Sequence, residues 1–342
     1  MNRALFVLFL LPAATVAAAD FSASAKGTTT GDFLQLGAGA RAEGLGEAYT
    51  AIADDASALY WNPAALTMTK SASAVFMHAP YVASSFYDYA AYSQNLGAGG
   101  AVGLGAQYFS AGSISGTDAT GSDNGSFSPY DIALSLGYAY QLSDESILAG
   151  MSLGIAAKYV RSQIINTAQT FAGDIGLLSP PMLDGRLRLG ADASNLGGKM
   201  KFESESEDLP SAMRVGAGYH LSQGWLASLD LALPADNRPY VAAGTEYVLS
   251  VDGGWEFAGR VGFNSLTLGD VTGFSACSFG VGVAYSSLAF DYALVPMGVM
   301  GLTQRVSVSL KFGMETEEPS RPIKPAKSSR PRAESKPGYL IY

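Results

Sequence analysis

Most of the chain alternates hydrophobic with small or polar residues, one position at a time, in short repeated segments. In residues 131–141 the even positions are hydrophobic and the odd positions are mostly small or polar, and residues 275–285 and 305–312 repeat the alternation. Because successive strand side chains point to opposite faces, each segment predicts a strand with one apolar face. The pattern predicts fourteen strands, at about residues 72–80, 84–95, 100–114, 129–141, 147–161, 169–178, 186–196, 211–221, 225–233, 240–250, 255–264, 275–285, 288–294 and 303–312.

Segment lengths and connections favour a transmembrane barrel over a soluble sandwich. Most segments are near the roughly nine to eleven residues that a tilted strand needs to cross a bilayer. Long and short connections tend to alternate, and the longest lie at residues 115–128 and 197–210. Outer-membrane barrels have this arrangement of long outer loops and short periplasmic turns. Aromatic residues near segment ends are expected to form interfacial girdles: Tyr108, Tyr140, Tyr159, Trp225, Tyr240, Trp255 and Tyr285.

We therefore predict an all-β fold, a 14-stranded antiparallel transmembrane β-barrel at residues 72–312, with three flanking zones. Residues 1–19 contain Arg3, then a short apolar run and then small residues. This order is typical of a cleaved signal peptide. Residues 20–71 lack the alternation and predict short helices and turns that plug the barrel as a hatch. Residues 313–342 are rich in Pro, Lys and Arg and predict a disordered periplasmic tail.

Composition agrees with an exported membrane protein. Hydrophobic residues make up 48% of the chain and charged residues 15%, against about 25% charged in soluble proteins. We expect the bacterial outer membrane as location and its lipid as a partner. A net charge of −9 argues against nucleic acid as a partner, and Cys277 as the single cysteine rules out an internal disulfide. We expect no cofactor and no metal.

A glycine-rich stretch at residues 37–46 contains the first candidate site residues. Its pattern superficially resembles a dinucleotide-binding turn, but no parallel-sheet unit surrounds it, and a lone glycine pattern is weak. A tightly packed hatch turn is the better interpretation. The candidate residues are Gly37, Gly39, Arg41, Gly44 and Gly46.

Two polar pairs follow in the same zone. Asp54 or Asp55 could cap a short helix, and Asn62-Pro63 would mark the end of that helix or a turn. A metal site at the two aspartates is the alternative, although no histidine or further carboxylate is near in sequence.

The inward positions of the predicted strands carry many charges. Because buried charges need partners, we expect mainly salt bridges within the barrel and contacts to the hatch. A substrate or ion pathway is the alternative, in which His220 could take part, and an acidic loop at residues 116–126 could bind calcium. The main candidates are Arg186, Arg188, Asp192, Arg214, Asp230, Glu246, Glu256 and Arg260, and the same faces hold Asp131, Lys158, Asp291, Arg305 and Lys311.

Two regions resemble the PorV/PorQ family of outer-membrane proteins. The first reads FLQLGAGARAEGLGEAYTA at residues 33–51 and ADDASALYWNPAAL at residues 53–66, and the second covers residues 290–307. The family is similar to FadL-like fatty-acid transporters, which implies a fourteen-stranded barrel with a hatch that carries Asn62-Pro63-Ala64. The resemblance also implies a role in type IX secretion, in which such proteins carry cargo from the translocon to the surface attachment machinery.

Several functions remain open from the sequence. The first is a non-enzymatic secretion component whose outer loops bind cargo and secretion machinery. The alternative is a FadL-like channel for hydrophobic small molecules such as fatty acids, and a third is a structural barrel whose tail grips periplasmic partners. An enzyme is disfavoured because no catalytic constellation, such as Gly-x-Ser-x-Gly, occurs.

Overall fold

A computed structural model describes residues 25–143, 146, 148–202, 205–268, 275–298 and 301–313. The predicted signal peptide and all of the predicted tail beyond Gly313 lie outside these residues. In the described part of the chain, fourteen strands close into an antiparallel barrel, as predicted. They are β1 (Ala72–Pro80), β2 (Phe86–Gly97), β3 (Gly100–Ser110), β6 (Tyr130–Gln141), β7 (Ser152–Gln163), β8 (Thr167–Leu178), β9 (Leu187–Leu196), β12 (Ala212–Ser222), β13 (Trp225–Pro234), β14 (Tyr240–Val251), β15 (Trp255–Asn264), β16 (Cys277–Tyr285), β17 (Leu288–Pro296) and β18 (Leu302–Phe312).

The first and last barrel strands pair and close the sheet, with Ala72 opposite Phe312. Both chain ends of the barrel therefore lie at one rim, which is the periplasmic rim in outer-membrane barrels. Two small hairpins extend the connections at the opposite, outer rim. They consist of β4 (Ile114–Thr117) with β5 (Asp123–Phe127), and β10 (Lys199–Lys201) with β11 (Ser206–Asp208).

Alternation gives the barrel an apolar outer face. Leu136 on β6 is 59% exposed and Phe171 on β8 is 72% exposed, as expected for side chains that meet lipid. Tyr240 does not belong to this face, so its predicted place in a girdle is wrong. Its neighbour Val241 faces outward, and the Tyr240 side chain reaches Arg214 inside the barrel.

The predicted limits of β7, residues 147–161, are also wrong. Turns between Leu148 and Met151, with Gly150 at φ 73°, delay the start of the strand to Ser152. The periplasmic connection before β7 is therefore longer than predicted, and the outer turn after Gln163 is shorter. The alternation of long and short connections fails at this strand.

Residues 25–71, called the hatch from here on, lie mostly inside the barrel. Most of their buried apolar side chains, including Tyr49, Leu59 and Trp61, form a core with inward residues of the barrel, whereas Phe33 and Leu34 belong to a second cluster. No helix in the described ranges has the length and hydropathy needed to span a bilayer. The helices are α1 (Ala40–Gly44), α2 (Ala58–Trp61) and the 3-10 helices Asp32–Gln35, Pro63–Met68, Val82–Ser84 and Ser265–Thr267.

Candidate functional site

Glycines let the hatch backbone approach the barrel wall. A Cβ at Gly44 would lie 3.0 Å from the Cα of Gly280, and a Cβ at Gly46 would lie 2.6 Å from the backbone N of Phe263. A side chain at Gly46 would overlap the backbone of Phe263, and one at Gly44 would crowd the backbone of Gly280, so glycine favours this contact. The predicted tight packing at these two residues agrees with the structure.

The other two glycines of the candidate motif contact the hatch itself and β1. Gly37 faces the side chain of Glu43, which a Cβ would meet at 2.5 Å. Gly39 precedes α1 with φ 92°, and its N–H lies 3.1 Å from the Sδ of Met77. These contacts position α1 against the barrel wall. They explain the glycines as packing residues, without a dinucleotide-binding turn.

A chain of ion pairs connects α1 to the barrel. Arg41 donates to both carboxylate oxygens of Glu246 at 2.8 and 2.9 Å, and to Asp54 at 2.7 Å. Arg260 donates to Glu246 at 2.5 Å and to Asp291 at 2.6 Å. Glu246, Arg260 and Asp291 are buried, so each charge depends on these partners.

Asp54 extends the chain to the last barrel strand. Its Oδ1 lies 3.3 Å from the Nζ of Lys311. Burial by itself would raise the pKa of Asp54, but Arg41 and Lys311 outweigh it and hold that pKa well below its usual range. The neighbouring Asp55 instead accepts from the backbone N–H and hydroxyl of Ser57, just before α2. The two aspartates therefore have different roles.

Asp230 binds the hatch backbone. Its Oδ2 accepts from the N–H groups of Tyr49 and Thr50 at 3.0 and 2.9 Å, and its side chain is buried. A carboxylate that accepts two backbone N–H groups forms charge-assisted hydrogen bonds, which are stronger than neutral ones. Asp230 thus fixes the turn between the two halves of the hatch.

Asn62 ends α2 and ties this part of the hatch to β8. Its Nδ2 donates to the carbonyls of Thr50 and Leu177 at 3.0 Å each, and its Oδ1 accepts from the N–H of Ala64. Pro63 begins the following 3-10 helix, where its missing N–H removes no bond. The predicted turn at this pair is present.

Arg214 packs against two aromatic side chains of the hatch. Its guanidinium carbon lies 5.7 and 5.3 Å from the ring centroids of Tyr60 and Trp61. The Oδ2 of Asp192, on the neighbouring strand, lies 3.7 Å from the Nη1 of Arg214. Five lumen candidates are buried inside the barrel, at the hatch or beside a residue that contacts it: Asp192, Arg214, Asp230, Glu246 and Arg260.

The other three candidates are outside this buried set. Glu256 is exposed and lines a cavity at the periplasmic rim, whose wall also includes His220. Arg188 contacts the hatch at the Sδ of Met68 but is only partly buried. Arg186 was predicted to point into the lumen, but it lies in the exposed turn before β9, because that strand begins only at Leu187.

Two hatch carboxylates were not among the predicted site residues. Glu43 lies 3.4 Å from the Nε of Arg305, and Glu47 accepts from the Nδ2 of Asn264 at 3.0 Å. Burial, with the nearby carboxylate of Glu43, raises the pKa of Glu47 to about 8. Their spacing of four residues suggests one helical face, but α1 ends at Gly44, so the spacing alone could not place them.

No group of three or more metal-ligating side chains occurs among the described residues. In the acidic loop at residues 116–126, where the sequence left calcium binding as a possibility, Asp118 accepts from the N–H groups of Thr120 and Ser122 and from the Thr120 hydroxyl. Its carboxylate thus orders the tip of the β4–β5 hairpin.

The hatch separates two cavities. The periplasmic cavity, of about 350 Å³, is lined by the ion-pair chain that includes Arg41, Glu246 and Lys311. The outer cavity, of about 570 Å³, is mainly apolar and is lined by Phe33 and Phe109 among others. The two cavities share no lining residue.

Glu246→Ala should loosen the hatch, because it leaves the buried guanidinium of Arg260 and that of Arg41 short of an acceptor. We expect a loss of about 3 kcal/mol in unfolding free energy, measured by urea unfolding in detergent, and faster proteolysis within the hatch. The control is Asp88→Asn, which breaks the exposed pair with His78 and should cost less than about 1 kcal/mol. Equal losses in the two variants would contradict the assignment.

Glu47→Gln should change the pH dependence of stability. The folded protein keeps the Glu47 proton up to about pH 8, whereas the unfolded chain releases it near the usual pKa of 4.5. Stability therefore falls as pH rises from about 4.5 to 8, by up to about 5 kcal/mol, given about 1.4 kcal/mol per pKa unit.

The variant should remove this fall, so that it is more stable than the natural protein at pH 9 and similar to it at pH 5. Urea unfolding at both pH values measures the effect. Glu256→Gln, which removes an exposed carboxylate, is the control. An equal gain in both variants at pH 9 would rule out the buried Glu47 as the cause.

Solved structures share this fold at low sequence identity. The toluene transporter TbuX of Ralstonia pickettii aligns with TM-score 0.54 and 13% identity over 81% of this chain and 99% of its own. The P. putida toluene transporter TodX gives TM-score 0.54 and 12% identity over 82% and 99%. A Pseudomonas aeruginosa FadL homologue gives TM-score 0.53 and 11% identity over 80% and 98%. The predicted FadL-like barrel fold is confirmed.

The sequence comparisons identify the family. No curated protein matches the chain significantly. The family model described as type IX secretion system protein PorV matches residues 21–224, more than half of the sequence. This match includes the glycine-rich and Asn62-Pro63 segments and extends through β12. The chain therefore belongs to the PorV family of outer-membrane β-barrel proteins.

Proposed function

We propose that this protein is a non-enzymatic component of type IX secretion that binds exported cargo at the outer membrane. The observation that carries the proposal is the ionic attachment of the hatch, in which Arg41 and Arg260 share Glu246. Family membership supports the pathway. The attached hatch supports a role at the outer surface over transport through the barrel.

Opening the barrel would break several buried contacts together. Glu246 would lose Arg41, and Asp230 would lose two backbone N–H partners. Separating one partner of a buried ion pair costs about 3–5 kcal/mol, so passage through the barrel needs a large compensating interaction. Binding cargo at the outer rim needs none.

The outer rim offers the surface for protein partners. The β4–β5 hairpin extends from it, with exposed Ile114 at its base, and the β10–β11 hairpin lies across the barrel mouth, where Thr30 donates to the carbonyl of Asp208. Such hairpins can bind a partner without disturbing the barrel strands. We propose that they bind exported cargo and secretion machinery.

A FadL-like channel for hydrophobic small molecules is the second candidate. The apolar outer cavity, which includes Phe33, Leu36 and Phe109, favours it. Against it, that cavity shares no lining residue with the periplasmic one, so a compound bound there would need the hatch to move or another exit.

The test compares surface proteins of the natural strain, a clean deletion strain and the deletion strain carrying the gene again. We expect exported proteins with a shared C-terminal domain to leave the surface of the deletion strain, accumulate in the periplasm and return on complementation. Unchanged surface proteins, together with slower uptake of a hydrophobic compound, would overturn the proposal in favour of the channel.

A further inference from the structure

The outer cavity is a ready-made binding site for an apolar group. It lies between the hatch, the β1–β2 turn and the outer ends of β3, β6 and β7, and its volume of about 570 Å³ falls within the range of ligand pockets. Aromatic and aliphatic side chains make up most of its wall: Phe33, Leu36, Tyr81, Val82, Phe109, Ile164 and Phe202.

The charged side chains that line this cavity are all acidic. Asp32 and Asp131 line it, and no Lys, Arg or His occurs among its described lining residues. Burial raises the pKa of Asp32, and the nearby carboxylates of Asp236 and Glu207 raise it further. The cavity wall thus presents two carboxylates and no cation among its described lining residues, which favours a positively charged group on the occupant.

One cation behind the wall, Arg305, already has partners. Arg305 lies 4.5 Å from the ring centroid of Tyr81 and donates to its hydroxyl at 2.6 Å. Its Nε faces Glu43 at 3.4 Å. The tyrosine ring separates Arg305 from the cavity, and Glu43 balances its charge, so it does not neutralise the two aspartates.

We infer that the outer cavity binds an apolar side chain flanked by basic residues in an extended segment of the exported polypeptide. This inference rests on the proposed function and specifies its recognition chemistry. A fatty-acid anion shares the apolar part but would bring a carboxylate towards Asp32 and Asp131, so like-charge repulsion disfavours it.

The test uses two fluorescein-labelled peptides, Gly-Lys-Phe-Leu-Lys-Gly and the same peptide with Glu in place of both Lys. Binding to the full-length protein in phosphatidylcholine nanodiscs is followed by fluorescence anisotropy, with empty nanodiscs as blanks. We expect the basic peptide to bind about tenfold more tightly, as two partly exposed ion pairs allow, and the preference to shrink as salt rises.

The variant Asp32→Asn/Asp131→Asn should bring the two affinities to within about threefold. The control Asp184→Asn/Asp252→Asn makes the same change of net charge in exposed periplasmic turns and should leave the preference intact. The inference is overturned if the acidic peptide binds as tightly as the basic one, if neither peptide binds, or if both double variants lower the preference equally.

A complementation experiment in cells distinguishes this inference from the proposed function. If deletion of the gene removes cargo from the surface but the Asp32→Asn/Asp131→Asn variant restores it fully, the charged cavity is not the recognition site and the secretion role stands. If deletion leaves surface cargo unchanged, the proposed function itself fails, whatever the peptides show. We expect the double variant to restore surface cargo only in part.

Discussion

The carboxylate of Glu246 lies between two guanidinium groups, Arg41 on the hatch and Arg260 on the barrel wall. Because Glu246 and Arg260 are buried, breaking this arrangement would leave a buried charge without its partner, at a large free-energy cost. The position of α1 follows from this contact, and the close approach of Gly44 and Gly46 to the wall requires that position. The separation of the two cavities depends on the same arrangement.

The barrel was predictable from the sequence because lipid on one side and a packed lumen on the other impose alternation on every strand. The limits of β7 were not, because the residues before it alternate only weakly and Gly150 turns the chain. Tyr240 shows a second limit. An aromatic residue at a strand end can face lipid or lumen, and only the register of β14 decides.

The candidate site was predictable in part. Inward charges such as Arg214 and Asp230 could be named from strand parity, since side-chain direction follows from position. Their partners could not, because Glu246 and Arg41 are separated by 205 residues and meet only through barrel closure. Glu43 and Glu47 were missed because their burial comes from the wall around them.

The two ends of the barrel differ in chemistry, and this difference suggests a direction for function. The periplasmic cavity is lined by ion pairs that hold the hatch, whereas the outer cavity is mainly apolar with two acidic lining residues. A protein that binds its partner from outside needs the hatch to stay attached at the periplasmic cavity. It also needs the outer cavity to stay accessible. The fold meets both requirements with one hatch.

The most direct test joins the hatch covalently to the wall. Cysteines at Ala40 and Ser307, where the N–H of Ala40 donates to the Ser307 hydroxyl at 3.1 Å, would be introduced with Cys277→Ser and joined by oxidation to a disulfide, which a thiol reductant reopens. Each single cysteine serves as control. The account predicts that cross-linked cells display the same surface proteins as the controls. Cargo trapped in the periplasm and released when the cross-link is reduced would contradict it.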